Sequence, residues 1–222
     1  MKSTWILAVA SVLLALVVLA TASETDSAIT SDAALQKLME GNARFVSGNS
    51  THPHQSAAER RAELLTSQHP IAVVVGCSDS RTPPEIVFDQ GLGDIFVVRT
   101  AGEVMDNASL GSIEYAVEHL SVPLVIVMGH DSCGAVEAEV DGGEAPGHIA
   151  SLVEAIKPAV DEARKMGKER QLLNESININ VANVVKELST EEPIISEYVK
   201  DGKLKIVGAR YYLDSGAVEF FM

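Results

Sequence analysis

Basic residues are few in this chain of 222: 17 Lys and Arg stand against 31 Asp and Glu, a formal charge of −14. That balance argues against nucleic acid and against anionic lipid surfaces as partners. The sequence has no serine nucleophile elbow, no phosphate-binding glycine loop and no dinucleotide fingerprint, so none of those chemistries competes for the assignment. Repeats and low-complexity tracts are absent after the first 23 residues. With 46% hydrophobic residues, the length suits one ordinary α/β domain and leaves no room for a second large one. Only two cysteines occur, Cys77 and Cys133.

The chain opens with a long apolar run. Lys2 is the only charge before Glu24, "WILAVASVLLALVVLA" follows it, and Ala20-Thr21-Ala22 forms an A-x-A cleavage site before Ser23. We read residues 1–22 as a signal peptide and 23–222 as the functional domain. The alternative is an uncleaved anchor, because the uncharged stretch Ser3–Ser23 is just long enough to span a bilayer. No cysteine lies near the cleavage point, which excludes a lipid-modified N-terminus. Export is expected, most simply into a bacterial periplasm, with no membrane partner once the signal is removed.

In an oxidising compartment an even pair of cysteines reads first as a disulfide. Their neighbours argue otherwise. Cys133 lies in "GHDSCGA", three residues after His130, and Cys77 lies in "CSDSR", two residues before Asp79. Cysteine, histidine and carboxylate together make a zinc ligand set, and a plain disulfide needs none of these companions.

"SDAALQKLMEGNARFVSG" places Ala34, Leu35, Leu38 and Met39 at helical spacing, with Ser31 as the expected cap. "NSTHPHQSAAERRAELLTSQ" reads as a polar arm running into a second amphipathic helix, and both segments are expected to pack on the domain or on a partner subunit. The runs 71–77, 94–102 and 123–130 are apolar and β-branched, as in a parallel sheet buried on both faces. A helix face formed by Ile113, Ala116, Val117 and Leu120 lies between the last two runs, implying a right-handed crossover. Helices are expected from about Ile149 to Val199, broken near Gly167 and at Pro193, with the acidic "TEEP" complementing a helix N-terminus. A strand, an Asp214-Ser215-Gly216 turn and a second strand close the chain. The fold expected is a mostly parallel central sheet flanked by helices, with Cys77 and His130 both at its carboxyl edge, where open α/β sheets place their ligands.

A zinc ion on Cys77, His130 and Cys133 would keep one tetrahedral position open, the arrangement of catalytic rather than structural zinc. Asp79 is near enough to close that position, and Arg81 is placed to draw Asp79 away in a two-point ion pair. Two thiolates and a neutral imidazole cancel the charge of zinc, so Asp79 and hydroxide compete as ligands of like charge, and pH chooses between them. Bound zinc lowers the pKa of water from about 15.7 to about 7 in the best-known case, and two thiolates should leave it more basic here.

"CSDSR" at 77–81 with "GHDSCGA" at 129–135 resembles the β-class carbonic anhydrases, and the likeness runs from about residue 31 to 222. The resemblance implies reversible hydration of carbon dioxide to bicarbonate and a proton, one zinc per subunit, and a homodimer or a dimer of dimers. It implies Cys77, His130 and Cys133 as zinc ligands, Asp79 as a switchable fourth ligand and Arg81 as its partner. It further implies Gln68 as a substrate contact across the subunit interface, Phe96 and Tyr115 as apolar pocket lining, and the Gly134 amide as a group facing substrate. His119 falls where some members have a proposed proton shuttle; a surface role is the plainer reading. Ala101, in "RTAGE", makes a smaller pocket wall than usual, and Val74 stands where one subgroup has the tryptophan of an inhibitory bicarbonate site, so that inhibition is expected to be absent. Two other readings are a related zinc hydrolase acting on a carbon disulfide-like molecule, and a closed zinc site that serves structure alone. His52 and His54, in "THPHQ", read as a solvated arm rather than as a second metal site.

Overall fold

The computed structural model describes residues 29–167 and 169–221, and the expected signal segment 1–22 lies outside the described residues. Five strands form one sheet: β1 (Ala72–Cys77), β2 (Ile95–Thr100), β3 (Leu124–His130), β4 (Lys205–Tyr211) and β5 (Val218–Phe221). Their spatial order is β2-β1-β3-β4-β5, with β5 alone antiparallel. The chain winds outward from β1 in both directions, so the order reverses between β1 and β3. In open α/β sheets that switch point opens a crevice beyond the strand ends.

Residues of β1 alternate between two apolar layers. Val73 and Val75 pack with Ile113, Val117, Val181 and Leu188 from helices α4 (Asn107–Leu120) and α7 (Leu172–Thr190). Val74 joins Leu38 and Phe88, beside α1 (Ser31–Val46) and α3 (Pro84–Val87). Every residue of β1 and β3 is buried, as their unbroken apolar runs require of a sheet covered on both faces. Four further α-helices lie among the described residues: α2 (Ala58–Glu63), α5 (Gly134–Asp141), α6 (Ile149–Lys165) and α8 (Ile194–Lys200). Among the described residues no helix is long and apolar enough to cross a membrane.

Two local expectations need correction, and a third gains a partner. Thr30, not Ser31, caps α1, its hydroxyl accepting from the Ala33 amide at 3.2 Å. Of the predicted face of α1, Ala34 and Leu38 are buried while Met39 is 43% exposed, because the stripe that meets the sheet is narrower than the apolar pattern. Glu192 of "TEEP" pairs with Lys200 at 2.8 Å, so its charge is engaged by a lysine as well as by the start of α8.

The arm is better anchored than its polar composition suggests. Asp89, whose side chain is fully buried, accepts from the Thr51 and His52 amides at 3.0 and 2.9 Å and from Arg44 at 2.7 Å. His54 contacts Asp94 at 2.8 Å. Burial pushes the Asp89 carboxyl up, but the Thr51 amide, Arg44 and the His52 amide outweigh it and bring the pKa down to about 2. The depressed value means that this group stabilises the fold fully above its unfolded pKa of about 3.9, and that the contribution fades as pH falls toward the folded value. Asp89→Asn suits the left-handed backbone at this position, φ 46°, but turns an amide donor toward the donors that now surround the carboxylate. We expect it to lower unfolding free energy by about 2 kcal/mol at neutral pH, with the gap from wild type narrowing in urea titrations repeated at about pH 3.

Candidate metal centre

Three side chains converge at the switch point. Cys77 is the last residue of β1 and His130 the last of β3, while Cys133 caps the N-terminus of α5 after a tight loop in which Ser132 has φ 50°. Their ligand atoms all lie within 4.8 Å of one another, all three residues are buried, and both cysteines are free thiols. The set was therefore assembled correctly from sequence, and a disulfide is not formed.

These residues fit a metal ion. His130 Nδ1 lies 2.8 Å from the Asp131 carbonyl, and donation there leaves the Nε2 lone pair free to ligate. Nε2 is buried and makes no hydrogen bond, a costly state for a polar atom unless something binds it. The two thiols act on each other: Cys133 first, aided by His130 and the Gly102 amide, pulls Cys77 down to about 4 against the effect of burial. Cys133 is pushed up by Cys77 and by burial. A dication would replace the thiol protons, which is how thiolate sites couple metal uptake to proton release. Two sulfurs and one imidazole nitrogen form a zinc donor set with one tetrahedral position to spare.

Beside this set, Asp79 is held by Arg81. Arg81 Nη2 lies 2.6 Å from Asp79 Oδ2, Nε lies 2.9 Å from Oδ1, and the Arg81 amide donates to Oδ1 at 2.9 Å. The same guanidinium reaches the Ser132 carbonyl at 3.2 Å. These bonds, the Arg81 side chain first, overcome burial and lower the Asp79 pKa to about 2. Asp79 Oδ2 stands 3.9 Å from His130 Nε2, adjacent to the donor set but turned to the arginine.

Several supporting residues had escaped the sequence reading. Arg99 donates to the Cys77 carbonyl at 2.7 Å and to the Asp79 carbonyl, bracing the strand end from below. Asp131, whose carbonyl orients His130, is gripped by buried Arg210, which also reaches Asn174 and Asn178 of α7. The Gly102 amide donates to Cys77 Sγ at 3.3 Å, next to buried Glu103 and Asn180. Arg99 and Glu103 flank Ala101 at the end of an apolar strand, a position that could have flagged them. Arg210 and Asn180, on β4 and in mid-α7, carry no local signal.

The remaining residues singled out from sequence divide between two places. Ala101 and Gly134 sit at the carboxyl edge, directly after β2 and at the first position of α5. Gln68, Tyr115 and His119 line a cleft of 1210 Å³ at the opposite, amino edge of the sheet, together with Leu64 and Pro123. His119 packs against Tyr115 with the rings tilted and their centroids 5.1 Å apart. Phe96 pairs with Val73 in the amino half of β2, about 13 Å along the strands from the Cys77 end. Within one chain, then, these four residues are not brought to the metal centre.

A switch-point crevice with a buried thiolate, thiolate and imidazole set defines a zinc enzyme of the open α/β type. The carbonic anhydrase family model matches residues 72–218. A carbonic anhydrase of Mycolicibacterium smegmatis is 50% identical over 191 residues, covering 84% of this chain and 91% of that one. Carbonic anhydrase 2 of Mycobacterium tuberculosis is 50% identical over 188 residues, covering 83% and 89%. Among solved structures, the β-carbonic anhydrase CafA of Aspergillus fumigatus superposes with a TM-score of 0.69 at 27% identity, over 86% of this chain and 89% of that one. The chain belongs to the carbonic anhydrase family, in its β class, and is an enzyme of zinc-dependent carbon dioxide hydration.

The Arg210 anchor can be tested through the metal. Arg210→Met releases Asp131 and with it the carbonyl that orients His130. We expect zinc affinity to fall about 10- to 100-fold in competition with a chromophoric chelator; unchanged affinity in a folded variant would show that the imidazole is oriented without this anchor.

Proposed function

We propose that the enzyme hydrates carbon dioxide with Asp79 held off the metal by Arg81, and that an exported homo-oligomer is its working form. The observation that carries the first part is the two-point contact between Arg81 and Asp79 beside a donor set with one open position. A closed, purely structural site needs Asp79 as fourth ligand, and both carboxylate oxygens are engaged elsewhere. When bound, zinc supplies the Lewis acidity that makes water a nucleophile near neutral pH, a role best known from a carbonic anhydrase with three histidine ligands.

The chain's own residues do the rest. His130, fixed by Asp131, and the two cysteines set the direction in which the open position faces. Asp79, 3.9 Å from His130 Nε2, is placed to accept a hydrogen bond from a water entering that position and so to orient its lone pair toward substrate. Arg81 keeps the carboxylate in that role. The Gly134 amide, at the first position of α5, is a donor for the oxygen on which charge develops, and Ala101 leaves the wall beside it small.

Support for assembly lies at the other edge of the sheet. Helix α2 buries none of its residues, Leu65 is 82% exposed and Tyr115 49% exposed, an apolar surface that a second subunit would cover. Docked there, Gln68, Phe96 and Tyr115 of one subunit would serve the metal centre of its partner, with carbon dioxide and bicarbonate bound between them. His119, its side chain 60% exposed beside Glu118, is then available as a proton shuttle. Export is supported by Lys2, the apolar run after it and the small residues before Ser23.

Three experiments follow. Arg81→Ala frees Asp79 to close the site: the initial hydration rate should drop about tenfold or more with zinc retained, whereas Cys133→Ser should lose the zinc itself. The wild-type rate should climb from about pH 6.5 to about pH 9 as hydroxide outcompetes Asp79, and a flat profile would count against the latch. Expression of the full chain should yield a mature N-terminus at Ser23 and a solution mass of at least twice that of one chain; an intact Met1 or a monomer would remove the corresponding half of the proposal.

A further inference from the structure

Among the described residues, Glu103 is a buried acid without a cation. Asp89 and Asp94 are buried to a similar degree, and they face Arg44 and Arg60. Glu103 is 1% exposed, and its hydrogen-bond partner is the amide of Asn180, whose Nδ2 lies 3.3 Å from Oε2. Its other oxygen is buried and unpartnered, close to the space left free by Gly129, where a Cβ would stand 3.9 Å away. Burial first, and then the charge on Cys77, raise its pKa well above the ordinary carboxylic value.

The backbone around it is strained. Gly102 and Glu103 both adopt left-handed conformations, φ 69° and 54°, the second unfavourable for any residue with a Cβ. Gly102 has no space for a side chain either, since a Cβ would come within 2.7 Å of Ile156 Cδ1. Such a turn persists where its surroundings over-determine it, and here the surroundings are specific. Asn180 Nδ2 donates to the Gly102 carbonyl at 2.8 Å and to Glu103 Oε2, gripping the turn from one side. On the other side the Gly102 amide meets Cys77 Sγ at 3.3 Å.

We infer that Glu103 and Asn180 form a clamp that presents the Gly102 amide to Cys77, and that this hydrogen bond weakens electron donation from the sulfur to the metal. Hydrogen bonds to a coordinating thiolate draw charge from it and leave the metal more electrophilic. A centre with two thiolates has more charge donation to offset than one with three imidazoles, and the clamp acts on one of those two sulfurs. Glu103 accepts from Asn180 at 3.3 Å and so completes the clamp. Both are positioning residues, since neither reaches the open coordination position.

Cobalt replaces zinc as a coloured probe, and its thiolate charge-transfer band reports sulfur donation directly. In cobalt-loaded Asn180→Leu, similar in size but without the donor, the band should move to longer wavelength. Asn180→Ala should move it the same way and serves if the leucine variant does not fold. Glu103→Gln, neutral and nearly isosteric, should keep the band at its wild-type position. An unmoved band in a folded, cobalt-loaded Asn180 variant overturns the clamp, as does a Glu103→Gln shift equal to that of Asn180→Leu. The inference rests on the Cys77 centre and not on the Asp79 latch: failure of the wild type to bind cobalt would strike the metal assignment, while a change confined to the Asn180 variants speaks only to the clamp.

Discussion

The register between β1 and β3 is the constraint on which the rest depends. Val73 pairs with Val125 and Gly76 with Met128, so the two strands run out together and leave Cys77 and His130 at one edge. A slip of one residue would turn every side chain of a strand to the opposite layer, and with both layers apolar it would carry the ligands out of reach of each other. The alternation of Val73 and Val75 with Val74 therefore fixes the metal centre as well as the core. Gly129 adds to this: a Cβ there would meet Val181 Cγ2 at 2.6 Å, so its absence lets α7 lie close and bring Asn174, Asn178 and Asn180 to the same edge.

What gathers at that edge is mostly negative, in a chain that is already strongly acidic. Cys77, Cys133, Asp79, Asp131 and Glu103 gather near one edge of the sheet, and three devices handle them. The thiolates require a cation, which is the physical reason that this donor set selects a metal. Asp131 is matched by Arg210 and Asp79 by Arg81. Burial and the charge on Cys77 raise the pKa of Glu103 well above its ordinary value. The acidity that argued against nucleic acid is thus compatible with a site that uses its few arginines one by one.

Much of this was legible in the sequence, and the division between what was and what was not has a physical basis. Strand order and the edge position of Cys77 and His130 follow from apolar runs and from the spacing of helix and strand, which are local signals. "CSDSR" places ligand, carboxylate and arginine within five residues, so their contact is a matter of backbone geometry alone. Arg210 and Asn180 are different, because they reach the centre through tertiary packing from β4 and α7, and nothing near them in sequence marks the target. Asp89 shows the same limit in the arm: Thr51 and His52 look like solvated loop residues until the carboxylate that organises them, 37 residues away in the case of His52, is brought underneath. Glu103 lay inside a motif that was read for its alanine, and its importance rests on burial, which periodicity in a three-residue turn cannot reveal.

The arginines also separate what is fixed at the centre from what can move. Arg210 is buried, and its pair with Asp131 is supported by Asn174 and Asn178 on the far side of the guanidinium. Breaking such a pair strands a charge away from water, a loss of about 3–5 kcal/mol, so the loop that orients His130 has one arrangement. Arg81 and Asp79 make contacts of comparable length, but half of the Arg81 side chain is exposed, and solvent can replace either partner at little net cost. Similar ion pairs, set at different depths, therefore serve opposite ends: the deep one holds the loop of His130 still, and the shallow one leaves a carboxylate able to part from its arginine.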